Sequence, residues 1–189
     1  MIIIGELINS TRKSINAAIE AGDKEALQKI AKDQAEAGAN YIDVNAGFFQ
    51  DRETEYLTWL VKIVQEVVDL PCCIDGPNRA ALEAALKVHK GIPMINSISL
   101  KKERRDELLP VLKGKDLKIV ALCTRDAGIP RTAADRLRIA DELIQLLLDH
   151  QVKRDMGSED GSSLSGLCVS TSKKGAEMIA QQGQSNGRT

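Results

Sequence analysis

The chain has 189 residues, of which 28% are charged and 43% hydrophobic. That is enough apolar material for one globular domain with a sizeable core, and too little length for a second full domain. The 26 Lys and Arg stand against 27 Asp and Glu for a formal net charge of -1, so the overall balance gives no steering towards nucleic acid or an anionic membrane.

No run of about 18 apolar residues is present to span a bilayer. The opening Met1-Ile2-Ile3-Ile4 is short and lacks the basic lead of a signal peptide. The expectation is a cytoplasmic protein with no nucleic-acid or membrane partner.

Up to about residue 150, short apolar runs alternate with amphipathic stretches, the pattern of βα units on a parallel sheet. The first strand is expected at Ile2-Ile3-Ile4, running into Gly5-Glu6-Leu7-Ile8-Asn9. A helix follows that Asp23 caps and Gly38 ends. The second strand is Tyr41-Ile42-Asp43-Val44, closing on Asn45-Ala46-Gly47. Leu57, Leu60, Val61, Val64 and Val68 then share one helical face, which predicts core packing. Cys72-Cys73-Ile74 is the third strand and leads into Asp75-Gly76, after which Pro77 opens a helix with Leu82, Ala85, Leu86 and His89 on one face.

The fourth strand, Pro93-Met94-Ile95, closes on Asn96-Ser97, and the basic run Lys101-Lys102-Glu103-Arg104-Arg105 opens the next helix as a solvated face. The fifth, Leu117 to Leu122, closes on Thr124-Arg125-Asp126. Pro130 with Thr132 marks the start of the last helix, whose stripe is Leu137, Ala140, Ile144, Leu147 and Leu148.

After Gln151 the rhythm stops. The last 39 residues hold 7 Ser and 6 Gly with no Pro and no aromatic, the composition of a flexible tail. No sixth strand is recognisable, although Leu164 to Val169 has the residues for a short one and Gly175 to Ala180 for one helical turn.

In a parallel βα architecture, ligands bind at the carboxyl ends of the strands. Here those ends carry Asn9, Asn45, Asp75 and Asn96. Carboxylate and carboxamide groups supply acceptors and mixed donor–acceptor groups without a cationic nest for phosphate, which favours a flat, nitrogen-rich heterocycle. The four cysteines, Cys72, Cys73, Cys123 and Cys168, have neither a zinc spacing nor a disulfide framework. Strand alternation points one of the Cys72-Cys73 pair inward and one outward, as packing residues. His89 and His150 lack a paired ligand and are expected as helix-end residues, so no metal site is assigned.

Five ordered segments carry a family resemblance: Ile4-Gly5-Glu6-Leu7-Ile8-Asn9, Asp43-Val44-Asn45-Ala46-Gly47, Cys73-Ile74-Asp75, Met94-Ile95-Asn96-Ser97-Ile98-Ser99 and Gly128-Ile129-Pro130. Residues 1–150 are similar to the pterin-binding methyltransferases, namely the methyltetrahydrofolate:corrinoid/iron-sulfur protein methyltransferases and the folate module of cobalamin-dependent methionine synthase.

The resemblance implies a parallel (β/α) barrel of TIM type. It implies methyltetrahydrofolate as substrate and a corrinoid (cobalamin) carried by a partner protein such as the corrinoid/iron-sulfur protein. It places Asp75 and Asn96 on the pterin ring, with Glu6 and Asn9 lining the same mouth; Asn45 joins them by its strand-end position. Dihydropteroate synthase, which shares the barrel, and a non-catalytic pterin-binding half-barrel are the alternatives.

An eight-unit barrel takes about 250 residues, and five units are recognisable here. The family's later pterin-binding Asp and its Asn near N5 have no match after Gln151, so the catalytic residue is unassigned and a truncated or frame-shifted chain is the expectation. Strands one and five then present unpaired edges, which favours association, a homodimer included, or a partner that completes the sheet.

Overall fold

The computed structural model describes residues 2–150, Val152 and the backbone of 167–170. Six parallel strands form one sheet in chain order: β1 (Ile4–Asn9), β2 (Tyr41–Asn45), β3 (Cys72–Asp75), β4 (Met94–Ser99), β5 (Lys118–Leu122) and β6 (Leu167–Ser170). The helices are α1 (Lys13–Ala21) and α2 (Lys24–Glu36) after β1, α3 (Glu53–Gln65) after β2, α4 (Arg79–Val88) after β3, α5 (Lys102–Leu112) after β4 and α6 (Ala133–Asp149) after β5. A doubly wound sheet reverses its strand order part-way. This one does not, and its helices all pack on one face, which is how the wall of a TIM-type barrel is built.

Side-chain alternation divides the sheet cleanly. Ile42, Val44, Cys72, Ile74, Ile95, Ile119 and Ala121 join the helices in one large core. Tyr41, Cys73, Met94 and Val120 form a smaller cluster on the other face, with Ile4 and Leu122 against it. Cys72 and Cys73 therefore do point to opposite faces, and both are buried free thiols. Burial pushes the Cys72 thiol up to about 12 and raises that of Cys73 as well, which leaves both protonated and inert.

Local signals set the helix ends. Asp23 accepts from the Ala26 amide at 3.0 Å. Gly38, at φ 92°, closes α2 with two reversed bonds, Gly38 N–H to Ala35 O at 3.0 Å and Ala39 N–H to Gln34 O at 3.1 Å. Thr132 accepts from the Asp135 amide at 3.1 Å and starts α6 as expected. At α4 the cap is Asn78, accepting from Ala80 at 2.9 Å, with Pro77 just before it. His89 accepts the Cys72 amide at 2.8 Å, and His150 bonds the Leu146 carbonyl at 2.8 Å; both end helices.

The structure corrects four sequence expectations. β1 runs from Ile4 to Asn9, so Gly5 to Ile8 lie within the strand, while Ile2 and Ile3 are exposed before it. The reason is α2: the Leu7 amide bonds Gln34 Oε1 at 2.9 Å, and Gly5 has no Cβ to collide with that side chain, whose Oε1 would lie 2.6 Å from one.

A sixth strand exists at Leu167–Ser170, overlapping the Leu164 to Val169 candidate and paired in parallel with Ile119 to Leu122, so the β5 edge expected to be unpaired is covered. Its four residues are too few to show a period against a Ser/Gly-rich background. The helical turn expected at Gly175 to Ala180, and the rest of the expected tail, lie outside the described residues.

The nine residues of α1 carry no apolar stripe long enough to announce it. Finally, α6 buries Ile139, Leu143 and Leu147, whereas Leu137 and Leu148 are exposed. Leucines line several sides of that helix, and packing against β5 selects one of them.

Candidate functional site

The barrel topology brings four sequence-predicted residues into one row. Asn9 is the register partner of Asn45, Asn45 of Asp75, and Asp75 of Asn96. β1, β2 and β3 end on these residues, and neighbouring strands stand about 4.8 Å apart, so the row spans roughly 14 Å of the rim. β4 continues past Asn96 to Ser99, with a register shift between Asn96 and Ile98. The row stops there, because Asn96 pairs with the apolar Val120 on β5.

Asp75 and Asp43 are each held by one carboxamide. Asn45 Nδ2 donates to Asp75 Oδ2 at 2.8 Å, and Asn96 Nδ2 donates to Asp43 Oδ2 at 3.0 Å. Asn45 Oδ1 accepts from Ser10 Oγ at 2.9 Å and from the Gly47 amide at 3.0 Å, and Ser10 Oγ accepts from the Phe48 amide at 3.2 Å. That fixes the orientation of Asn45 from both ends. Asp75 Oδ1 and Asn96 Oδ1 have no hydrogen-bond partner among the described residues. One carboxylate oxygen and one amide oxygen, on register-paired residues, thus remain without a partner among the described residues.

Burial raises the pKa of Asp75, against the Asn45 bond and the positive charge of Arg104. Asp43, only 2% exposed, is pushed up to about 7, chiefly by desolvation, with Asp75 and Glu6 adding repulsion and the Asn96 bond opposing. Glu53, at the start of α3, is buried and raised for the same first reason.

The other predicted positions fare differently. Asn9 stands in the row, but its Oδ1 accepts from the Thr11 amide at 3.0 Å and from Thr11 Oγ1 at 2.7 Å, as a turn residue does. Glu6 is exposed, in the irregular stretch of β1 between Gly5 and Ile8 rather than at the strand end. Beyond β5, Arg125 pairs with Glu142 at 3.2 Å, and Asp126 receives the Lys102 amide at 3.2 Å as a cap for α5. Neither joins the row.

Within the basic run, Lys101 and Lys102 are exposed as expected, but Arg104 is half-buried and bonds backbone carbonyls. Sequence reading did not single out Asp43, Glu53, Ser10 and Arg104, whose contacts surround this row. Asp43 was recoverable, since it stands two positions before Asn45 and so on the same face.

Residues 5–153 match the model of a family described as pterin binding enzyme. The chain belongs to the pterin-binding enzymes. Among curated proteins it is 37% identical over 154 residues to the methylcorrinoid:tetrahydrofolate methyltransferase of Eubacterium limosum, covering 80% of this chain and 57% of that protein. It is 25% identical to the methionine synthase of Mycobacterium tuberculosis, over 97% of this chain and 15% of the relative. The chain therefore spans a little over half of the first relative and a small part of the second.

Among solved structures, the dihydropteroate synthase of Xanthomonas albilineans superposes with a TM-score of 0.58 at 15% identity, covering 96% of this chain and 66% of the other. That of Vibrio fischeri gives 0.56 at 17%, covering 82% and 58%. At such identity these likenesses establish the barrel fold of this pterin-binding enzyme. No helix among the described residues is long and apolar enough to cross a membrane, and no cluster of His, Cys, Asp and Glu among them is arranged to hold a metal ion.

Proposed function

We propose that Asp75 and Asn96, with Asn45 behind them, bind the pterin ring of a reduced folate, and that the enzyme moves the N5-methyl group of methyltetrahydrofolate to the cobalt of a corrinoid carried by another protein. The carrying observation is the pair of oxygens, Asp75 Oδ1 and Asn96 Oδ1, unpartnered among the described residues and carried by register-paired residues of neighbouring strands. A pterin edge presents ring N–H and amino donors beside ring-nitrogen acceptors. A half-buried carboxylate suits those donors. Asn96 offers an acceptor and, beyond the hydrogen given to Asp43, a second donor.

The 37% identical relative supports the choice of reaction, since its name pairs a corrinoid with tetrahydrofolate. That name runs from corrinoid to folate, and the residues above would hold the folate in either direction. The resemblance of the five segments supports the corrinoid/iron-sulfur protein as the partner. Glu6 and Asn9 complete the proposed mouth at the β1 side.

The protein needs no nucleophilic side chain for this reaction, because the reduced corrinoid attacks the methyl carbon directly. An N5-methyl amine is a poor donor until N5 gains positive charge, so the protein contributes by positioning the ring and by electrostatic support at N5. The test is to mix the protein with methyltetrahydrofolate and reduced corrinoid and follow the visible spectrum. Appearance of the methylcobalt spectrum supports the reading. A folded, folate-bound protein that leaves the corrinoid spectrum unchanged overturns methyl transfer.

A further inference from the structure

Arg104 lies in the first turn of α5, inside a run that the sequence alone reads as solvated. Its guanidinium instead reaches back to the rim. Nε donates to Ser97 O at 2.7 Å, Nη1 to Gly76 O at 3.0 Å, and Nη2 to Asn96 O at 3.5 Å. Gly76 follows Asp75, and Ser97 follows Asn96. One planar, rigid fork thus ties together the chain just beyond both proposed pterin contacts, where β4 loses its regular register.

Burial lowers the pKa of the guanidinium, and the carboxylates of Asp75, Glu53 and Glu107 oppose that shift and support its charge. The fit around Gly76 is close on the other side too, where a Cβ would run into Glu53 Oε1. That oxygen is buried with no hydrogen-bond partner among the described residues.

We propose that Arg104 is a positioning residue for pterin binding, bracing the β3 end and the Asn96-Ser97 stretch of β4 so that Asp75 and Asn96 present their free oxygens at a fixed spacing. This rests on the reading that those two residues hold the pterin. Lysine keeps the charge but is a single point donor on a flexible stem and cannot bond three carbonyls in a plane.

The experiment uses the full chain. Binding of 5-methyltetrahydrofolate is measured by calorimetry for the wild type, Arg104→Lys, Asn96→Ala and the double variant. In parallel, the Asn45 and Asn96 side-chain amide signals are recorded by NMR without ligand. Arg104→Lys should weaken binding about tenfold, and the double variant should lose clearly less than the product of the single losses, because both changes act through Asn96. The two amide signals should shift.

Wild-type affinity in Arg104→Lys, or losses that simply multiply, overturns the proposal. Amide signals that stay in place overturn it whatever the ligand does. If Arg104→Lys does not fold, Arg104→Gln, which retains one donor group, is read by the same two measurements. Unchanged affinity in both Asp75→Ala and Asn96→Ala would instead remove the pterin reading, and the brace would then be judged on the amide signals.

Discussion

The two faces of this sheet are made by the same strands, one residue out of step. On the helix side, Ile42, Val44, Cys72, Ile74 and Ile95 are wholly buried. On the inner side the alternate positions change character along the strand: Tyr41, Cys73 and Met94 are apolar below, then Asp43, Asn45, Asp75 and Asn96 are polar at the carboxyl end. Ile74 and Asp75 are chain neighbours, yet one seals the core and the other stands at the proposed ligand. Stability and function are separated here by the pleat rather than by distance along the chain.

Substitutions on either side of the pleat can break or sharpen that separation. The largest stability loss is expected for Ile74→Ala, which opens a cavity between sheet and helices and should cost about 2–5 kcal/mol in urea unfolding. Gly76→Ala, at the turn between the two functions, should cost about 1–3 kcal/mol, since its Cβ must displace the buried Glu53 carboxyl.

A comparable effect of opposite sign is expected from Asp43→Asn. Asp43 holds its proton more tightly when folded, up to about pH 7 against an ordinary 3.8. Its contribution to stability is therefore full below pH 4, is lost as the pH rises through 7, and stays lost above. Asp75 and Glu53, also raised, act in the same direction. Removing the titrating group should make Asp43→Asn more stable than the wild type by about 1–3 kcal/mol at pH 8 relative to pH 4. Denaturant unfolding at the two pH values checks this, and equal differences would return Asp43 to ordinary behaviour.

The smallest effect is expected in the helix layer itself: Leu137→Ala on the exposed side of α6 should stay within about 0.5 kcal/mol of wild type in urea unfolding.

The strand-end residues were legible because a parallel strand buried on both sides is a short apolar run, and the first polar residue after it falls at the rim. Asp75 and Asn96 were found that way and Asn45 as the residue closing its run; the βα alternation gave the parallel sheet, and the family resemblance implied the barrel. What escaped depends on contacts distant in sequence. Arg104 looks like one charge in a basic run until α5 docks and turns it onto Gly76 and Ser97. Glu53 looks like an ordinary first-turn acid until it is closed in beneath Gly76. β1 was misplaced because Ile2-Ile3-Ile4 is the stronger apolar run, while the strand is set by Gln34 on α2.

In the proposed reading, the inner, carboxyl-terminal row binds a pterin through Asp75. Titration of 5-methyltetrahydrofolate into the wild type and Asp75→Ala by calorimetry tests this most directly. Loss of a charge-assisted bond to ring donors should weaken binding by about 1.5–3 kcal/mol, roughly ten- to a hundredfold, in a protein that keeps its folded circular dichroism. Equal affinity in the two folded proteins would contradict the claim.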